Sequence, residues 1–359
     1  MKLKHLSVLG WTALFLLALE VGLEARAHRR GWESILFGPG TVQSGDISQM
    51  AQDTTLELGP TPAFPFRSPV VTPWKTDSGI RIWFGSASYG EDTRVPAPDI
   101  FPNLAGSLLH HRIGRSVEVL NASRAGLTIA NNARDLEALG PTWTPDYAVL
   151  YGLSMDLGLL SEQFLGAGVV DDPDRGKASD PKETELVSGP FRYLSKLYET
   201  TTLYSQLKSH VTTLITEQQI LADSLPAVAL DSFRATVNAF VDAAIGIGAT
   251  PVLTTFATSY SLDDPEPLSL ASKRFILRYN PYLKPQGWLA AVKSLNSVFW
   301  EVAGERDITL IDLDSELTSH HDLFRDPVHF SVLGHSEAAT LLADGIAQIH
   351  QSANLGGIQ

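Results

Sequence analysis

Short apolar runs alternate along this chain with longer stretches in which apolar residues recur every three or four positions. Five of the runs are bounded by Gly, Pro, Asn or Asp and are rich in β-branched or aromatic residues, which predicts β-strands. These runs are 80–84, 117–121, 147–151, 251–256 and 308–312. Since they are apolar along nearly their whole length, we expect a sheet that is covered on both faces.

Segments with helical periodicity separate the predicted strands. In the first of them, Ile100, Leu104 and Leu108 share one face of a helix. Further helices are predicted at 129–139, 191–222, 231–246, 286–305 and 333–349. Regular alternation of strand and helix favours a parallel sheet. We therefore predict an α/β fold, a three-layer α/β/α domain with a five-stranded parallel sheet of flavodoxin-like type.

The N-terminal 30 residues have the pattern of a targeting segment. Lys2 and Lys4 precede an apolar run at 6–23 that only Glu20 interrupts. At about 1.5 Å per residue, such a helix is about 27 Å long, enough to cross the core of a bilayer. It is either an uncleaved signal anchor, which would tie the protein to the membrane, or a signal peptide cleaved after Ala27. Both alternatives place the remainder outside the cytoplasm, in the periplasm, at the cell surface or, after cleavage, secreted.

Two other segments interrupt the periodic pattern. Residues 31–79 are rich in Pro and Gly and predict an extended lead-in with at most short edge strands. Residues 157–189 are rich in Asp, Gly, Lys and Pro and predict a long loop or flap. The chain then divides into the N-terminal helix at 1–30, the lead-in at 31–79 and one domain at 80–359 with an insertion at 157–225.

Composition excludes several kinds of partner and site. The net charge of −13 leaves no basic surface to neutralise phosphates, so we expect no nucleic-acid partner. The chain has no cysteine, which excludes disulfides and thiolate metal sites. His320, His321 and Asp322 are adjacent, and neighbouring loop residues point in different directions, so we expect neither a metal nor a cofactor.

Candidate catalytic residues lie near the beginning and near the end of the sequence of the predicted domain. Ser86 follows the first strand directly, on a Gly-Ser turn where a hydroxyl would stand above the edge of the sheet. Asp326 and His329 lie three residues apart, just before the last predicted helix. A serine with a histidine and an aspartate can perform nucleophilic acyl transfer. Ser88, two residues further along the same turn, is the alternative nucleophile.

Four segments, in this order, resemble the sequence blocks of the SGNH (GDSL) hydrolases. They are Ser86 with Gly90, residues 121–126, residues 151–156, and Asp326 with His329. The resemblance covers about 81–349 and favours Ser86, because Gly90 stands at the family's spacing from it. It implies that Ser86 attacks the acyl carbon, that His329 takes its proton and that Asp326 orients the imidazole.

The resemblance also implies an oxyanion hole. The N–H groups of Ser86 and Gly126 would be two of its donors, and a glycine permits a backbone conformation that a side chain resists. The family's third donor is an asparagine side chain, which this chain lacks. Ser154 stands nearest to that position in one alignment and Met155 in the other, and only the serine can donate a hydrogen bond.

The function predicted from these features is hydrolysis of a carboxylic ester by an SGNH-type serine esterase. The expected substrate is a small-molecule or glycan ester, such as an O-acetyl group on a carbohydrate. Two alternatives remain open. The same three residues could transfer an acyl group to an envelope polysaccharide, or the domain could bind a glycan or protein partner without catalysis. Protein partners and oligomeric state are not predicted.

Overall fold

The computed structural model describes residues 21, 66–68, 75, 79–166, 221–264 and 267–356. Contacts divide the chain into two units, and all described residues except Val21 belong to the unit made of 45–167 and 220–359. The predicted N-terminal helix and most of the lead-in and insertion lie outside the described residues and stay predictions. Within the described part of the chain, no helix is long and apolar enough to cross a membrane.

Five parallel strands form the sheet. They are β1 (Ile80–Gly85), β2 (Val117–Asn121), β3 (Tyr147–Leu150), β4 (Thr250–Thr254) and β5 (Thr309–Ile311). Their order is β2-β1-β3-β4-β5, with every neighbouring pair parallel. This is the flavodoxin-like order. The α/β class and the five-stranded parallel sheet predicted from the apolar runs are confirmed.

The strand order reverses at β1, which pairs with β2 on one side and β3 on the other. Trp83 is opposite Leu120 in β2 and Ala148 in β3. All six residues of β1 and all four of β3 are buried, as expected of strands covered on both faces. Open α/β sheets leave a crevice at the carboxyl ends of the strands where the order reverses. The ends of β1 and β3 are therefore where a site is expected.

Nine α-helices belong to the described part of the chain. They are α1 (Ser88–Glu91), α2 (Phe101–Ile113), α3 (Ile129–Trp143), α4 (Ser154–Leu165), α5 (Ala227–Gly246), α6 (Leu270–Tyr279), α7 (Pro285–Arg306), α8 (Leu313–Leu317) and α9 (Val332–Gly356). Two 3₁₀ turns are added at Ala97–Asp99 and His321–Leu323. Helix α2 packs against α9, whereas α3 and α7 both pack against α5, and these two groups form the outer layers.

Local sequence explains several helix ends. The side chain of Thr128 accepts a hydrogen bond from the N–H of Asn131, and the side-chain oxygen of Asn131 accepts one from the N–H of Thr128, so that this capping box starts α3. Ser269 caps α6 in the same way through the N–H of Ser272. Gly114 ends α2 with a φ of 65°, a left-handed conformation that a glycine adopts without strain.

Two sequence predictions of local structure were wrong. Helix α4 replaces the beginning of the predicted loop at 157–189, because Leu157, Leu160 and Ser161 form a buried face that the intervening glycine obscured in the sequence. The helix predicted at 231–246 starts earlier, since α5 begins at Ala227, directly after Pro226. Helix α6 had no counterpart among the predicted elements.

Candidate active site

Ser88, His329 and Asp326 form a continuous hydrogen-bonded chain. The Oγ atom of Ser88 lies 2.9 Å from Nε2 of His329. Nδ1 of the same ring lies 2.9 Å from both carboxylate oxygens of Asp326. Because a carboxylate only accepts, the ring proton sits on Nδ1, and Nε2 is left to accept the hydroxyl proton of Ser88. This is the arrangement of a nucleophile, a general base and a group that orients the base.

Secondary structure positions each of these three side chains. Ser88 is the first residue of α1, which follows the carboxyl end of β1. Asp326 and His329 lie in the loop before α9. One oxygen of Asp326 also accepts the N–H groups of Val328 and His329, at 3.1 and 2.9 Å, which fixes the loop around the carboxylate.

Ser86 does not occupy the position that the sequence predicts for it. Its side chain is 1% exposed, and its Oγ has no hydrogen-bond partner within the described residues. It packs beneath Gly90, where an added Cβ would lie 2.6 Å from the Cβ of Ser86. The side chain of Ser86, directly after β1, is therefore buried in the core, and the first turn of α1 places Ser88 beside His329 instead. Ser88, the alternative nucleophile, is the serine that contacts His329.

Gly90 is a glycine because of how tightly α1 packs at this point. An added Cβ at Gly90 would also lie 2.4 Å from Oγ of Ser123. The carbonyl of Gly90 accepts a hydrogen bond of 3.0 Å from the buried amide of Asn121. Gly90 is therefore required for the close approach of α1 to the end of β2, and its distance from Ser86 in sequence does not identify a nucleophile.

Tyr89 connects the Ser88 turn to the end of β3. Its ring is buried and packs against Tyr151 and Phe256, and its centroid lies 6.3 Å from that of His329. Its hydroxyl accepts a hydrogen bond from the N–H of Leu153 at 3.3 Å. Burial raises the pKa of this phenol far above its usual value, so the group stays neutral.

Besides Ser86, the sequence predicts Gly126 and Ser154 as oxyanion donors. Gly126 lies in the loop between β2 and α3, and Ser154 is the first residue of α4. Gly126 has a φ of 82°, the left-handed conformation expected of it, and the N–H of the preceding Ala125 donates to the carboxylate of Glu91 at 2.7 Å. Ser154 begins α4 and its side chain is partly exposed.

Two carboxylates near the site differ in their electrostatics. Burial alone would raise the pKa of Asp326, but the hydrogen bond and charge of His329 and two backbone N–H groups outweigh it and lower that pKa. Burial raises the pKa of Asp156 to about 7, although the N–H of Ile129 donates to it at 3.1–3.2 Å. Asp326 is therefore anionic at neutral pH, whereas Asp156 is partly protonated.

A cavity of about 380 Å³ lies beside the loop that carries Asp326. Phe275 in its wall packs edge-on to the ring of His329, with centroids 6.4 Å apart. The rest of the lining combines hydroxyl groups and aromatic rings with a few charged side chains, and includes Ser259, Tyr260, Ser269, Ser272, His321 and Phe324. Such a lining offers hydrogen-bonding groups and aromatic faces to a ligand.

Two further polar residues near the site form contacts with acidic side chains. His321 lies 3.5 Å from the carboxylate of Asp264, and Arg124 forms an ion pair with Asp135 in α3. Within the described ranges, no group of three or more His, Cys, Asp or Glu side chains could hold a metal ion.

No protein-family model matches the sequence, and a comparison with curated proteins finds no match either. Solved structures with a similar fold include an acetyl xylan esterase, AlAXEase, at 14% identity and a TM-score of 0.44, covering 74% of this chain and 100% of that one. A lipase/acylhydrolase from Enterococcus faecalis is 16% identical with a TM-score of 0.41, covering 75% and 96%. A member of the lipolytic protein G-D-S-L family from Veillonella parvula DSM 2008 is 12% identical with a TM-score of 0.40, covering 75% and 97%. These are similarities of fold, so the chemistry must be argued from this chain's own residues.

Proposed function

We propose that this protein is a serine ester hydrolase of SGNH type in which Ser88 is the nucleophile. The single observation that carries the proposal is the hydrogen-bonded chain from Ser88 through His329 to Asp326, with each contact at 2.9 Å. Ordinary serine hydroxyls are weak nucleophiles, and activation requires a base within hydrogen-bonding distance. His329 meets that requirement, and its side chain is 19% exposed, so a substrate can reach it.

The reaction proceeds in two steps. Ser88 Oγ attacks the acyl carbon while His329 Nε2 accepts the hydroxyl proton, and the carbonyl electron pair moves onto oxygen to give a tetrahedral oxyanion. The imidazolium, stabilised by Asp326, then gives its proton to the alcohol oxygen as the ester C–O bond breaks and the acyl-serine forms. Water attacks the acyl-serine with His329 again as the base, which releases the carboxylic acid and restores Ser88.

Backbone N–H groups at the start of α1 and at Gly126 supply the proposed oxyanion hole, and the Ser154 hydroxyl is its third donor. The change of nucleophile from Ser86 to Ser88 moves the first donor to the N–H of Ser88. The left-handed backbone of Gly126 and the attachment of its loop to Glu91 support this assignment. Loss of one such donor typically costs about 10²- to 10³-fold in rate.

For the substrate, we propose an O-acyl group on a carbohydrate or similar polyol. The hydroxyls of Ser259, Ser269 and Ser272 can bond to sugar hydroxyls, while Tyr260 and Phe275 offer aromatic faces for its C–H groups. The predicted N-terminal targeting segment supports an extracytoplasmic location, where such esters would be encountered.

Hydrolysis of p-nitrophenyl acetate by the full-length protein tests the proposed activity. We expect Ser88→Ala to lower kcat/KM by about 10⁴-fold or more, as removal of a serine nucleophile does elsewhere. Ser86→Ala is the matched control, two residues away in the same turn, and should stay within about fivefold of the unmodified protein, provided its fold is intact. Equal activity of Ser88→Ala and the unmodified protein would refute the proposal. Product analysis with an added alcohol would separate hydrolysis from acyl transfer.

A further inference from the structure

A second network of charged and polar side chains lies behind the triad. We define the Asp92 cluster as Asp92, Arg325 and His335. The carboxylate of Asp92 accepts a hydrogen bond of 2.9 Å from Nε2 of His335 and forms an ion pair with the guanidinium of Arg325. Side-chain exposure is 3% for Asp92 and 0% for His335. None of the three contacts Ser88 or His329 through its side chain, and the acyl-transfer steps described above do not use them, although Arg325 also lines the cavity.

Every polar atom of the His335 ring is occupied. The N–H of Phe101 donates to Nδ1 at 3.2 Å, so that nitrogen carries no proton, and Nε2–H donates to Asp92. The ring also stacks on Phe101, with centroids 5.9 Å apart and planes inclined by 17°. His335 therefore holds Asp92 against the start of α2 and the first turn of α9.

The cluster is joined to both ends of the Ser88–His329 hydrogen bond. On one side, the N–H of Asp92 donates to the carbonyl of Ser88 at 2.9 Å and ends helix α1. On the other side, the N–H of Arg325 donates to the carbonyl of His329 at 2.9 Å. The path from Ser88 through Asp92 and Arg325 to His329 thus closes a ring of contacts.

The backbone at Asp92 indicates that the cluster holds this turn in place. Asp92 has a φ of 23° and a ψ of 79°, a conformation that side-chain-bearing residues rarely adopt and that persists only when surrounding contacts fix it. Burial would raise the pKa of Asp92, but His335 and Arg325 outweigh it and lower that pKa to about 2. The carboxylate accordingly stays ionised and paired throughout the neutral range.

We propose that the Asp92 cluster is a positioning network that sets the distance between the Ser88 hydroxyl and His329. This inference rests on the proposed function, and extends it to three residues outside the triad. The ion pair of Asp92 with Arg325 fixes α1 relative to the loop of His329, and His335 fixes both relative to α2. A displacement of about 1 Å in a reacting group can cost about 10²-fold in rate.

Asp92→Asn tests the proposal, because it keeps the side-chain shape and removes the charge that holds Arg325. We expect kcat for p-nitrophenyl acetate to fall about 10- to 100-fold with KM changed less than threefold, and the rate of fluorophosphonate labelling to fall in parallel. Arg325→Met should give the same pattern, and Arg325→Lys should recover part of kcat. In the double variant Asp92→Asn/Arg325→Met, the losses should be less than additive.

Glu118→Gln is the matched control for loss of a buried ion pair. Glu118 pairs with the fully buried Arg81 at the opposite end of β1, away from Ser88. The Glu118→Gln variant should have a lower melting temperature and an unchanged kcat. If the Asp92 and Arg325 variants fold and keep the unmodified kcat, or lose kcat no more than Glu118→Gln does, the positioning role is wrong. If the unmodified protein neither hydrolyses the ester nor is labelled, the proposed function itself fails instead.

Discussion

This protein contains two His–Asp pairs, whose histidines are six residues apart in the sequence and whose surroundings differ. In the first pair, His329 contacts Asp326 through Nδ1 and leaves Nε2 facing the hydroxyl of Ser88. In the second pair, His335 contacts Asp92 through Nε2, and a backbone N–H occupies its remaining nitrogen. The His329 side chain is 19% exposed, whereas that of His335 is fully buried.

The difference shows what separates a reactive imidazole from a structural one. Both rings have a carboxylate that fixes their orientation, so a carboxylate partner alone does not indicate chemistry. A ring can accept a proton from substrate or nucleophile only if its second nitrogen is accessible. His329 has that nitrogen available and His335 does not. We therefore expect substitutions in the two pairs to separate activity from stability.

His329→Gln should produce the largest effect on activity. Removal of the base is expected to lower kcat by about 10⁴-fold or more, with little change in the free energy of unfolding, because the ring is partly exposed. Ester hydrolysis and thermal unfolding of the same preparation measure both quantities. If His329→Gln kept most of the activity, His329 would not be the reactive imidazole of the two.

His335→Ala should lower stability more than His329→Gln does, and should lower activity only by the roughly 10- to 100-fold expected when the Asp92 cluster is disrupted. The substitution leaves the buried N–H of Phe101 without an acceptor and Asp92 without one of its donors. Each buried polar group that loses its hydrogen-bond partner costs about 1–3 kcal/mol. We expect the free energy of unfolding to fall by about 2–4 kcal/mol, and activity below the melting temperature to fall far less than in His329→Gln. Chemical denaturation gives the first quantity, and an unchanged midpoint would contradict the structural role.

Asp156 extends the comparison to a carboxylate held by backbone N–H groups instead of a histidine. Its pKa is raised to about 7 in the folded protein, above the unfolded value near 3.8. The folded state therefore binds more protons between these values, and this contribution to stability is present at low pH and lost as pH rises toward 7. From pH 5 to 7 we expect a loss of about 2 kcal/mol, and a smaller loss in Asp156→Asn.

Unfolding midpoints at several pH values, for the unmodified protein and Asp156→Asn, measure this difference. The difference between the two curves should change by about 2 kcal/mol from pH 5 to pH 7, because only the unmodified protein has a carboxyl group that titrates at this position. Parallel curves would mean that Asp156 titrates alike in the folded and unfolded states, and would contradict the raised pKa.

The cavity on the open side of His329 allows a smaller test. Ala271 is an exposed residue of α6 in the cavity wall, so Ala271→Phe should fill part of the space at little cost to folding. We expect kcat/KM to fall about tenfold for an acetylated oligosaccharide and less than twofold for p-nitrophenyl acetate. Ala235→Phe, at an exposed position of α5, is the control. Equal effects on the two esters would argue against substrate binding in the cavity.

The sequence alone predicts the sheet because its signal is local. The five apolar runs correspond to the five parallel strands, and the strand–helix alternation leaves few other arrangements. The Asp326–His329 contact is equally local, since only three residues separate the two. Helix α4 was obscured because polar residues and Gly158 interrupt its apolar face.

The parts of the site that escaped prediction depend on contacts between distant residues. Whether Ser86 or Ser88 faces His329 depends on how α1 leaves β1, which the packing of Gly90 on Ser86 and Ser123 decides. The contact between Asp92 and His335 joins residues 243 positions apart. Neither spacing nor periodicity indicates such a contact, so the Asp92 cluster could be found only in the folded chain.

The choice of nucleophile is the central claim, and the most direct test is to locate the covalent adduct of a fluorophosphonate probe. Trypsin should release residues 82–94 as one peptide that contains both candidate serines, and fragment ions that break the chain between them assign the adduct. We predict that the mass increase lies on Ser88 and that labelling disappears in His329→Gln. An adduct on Ser86 would contradict the account, as would labelling that persists without His329.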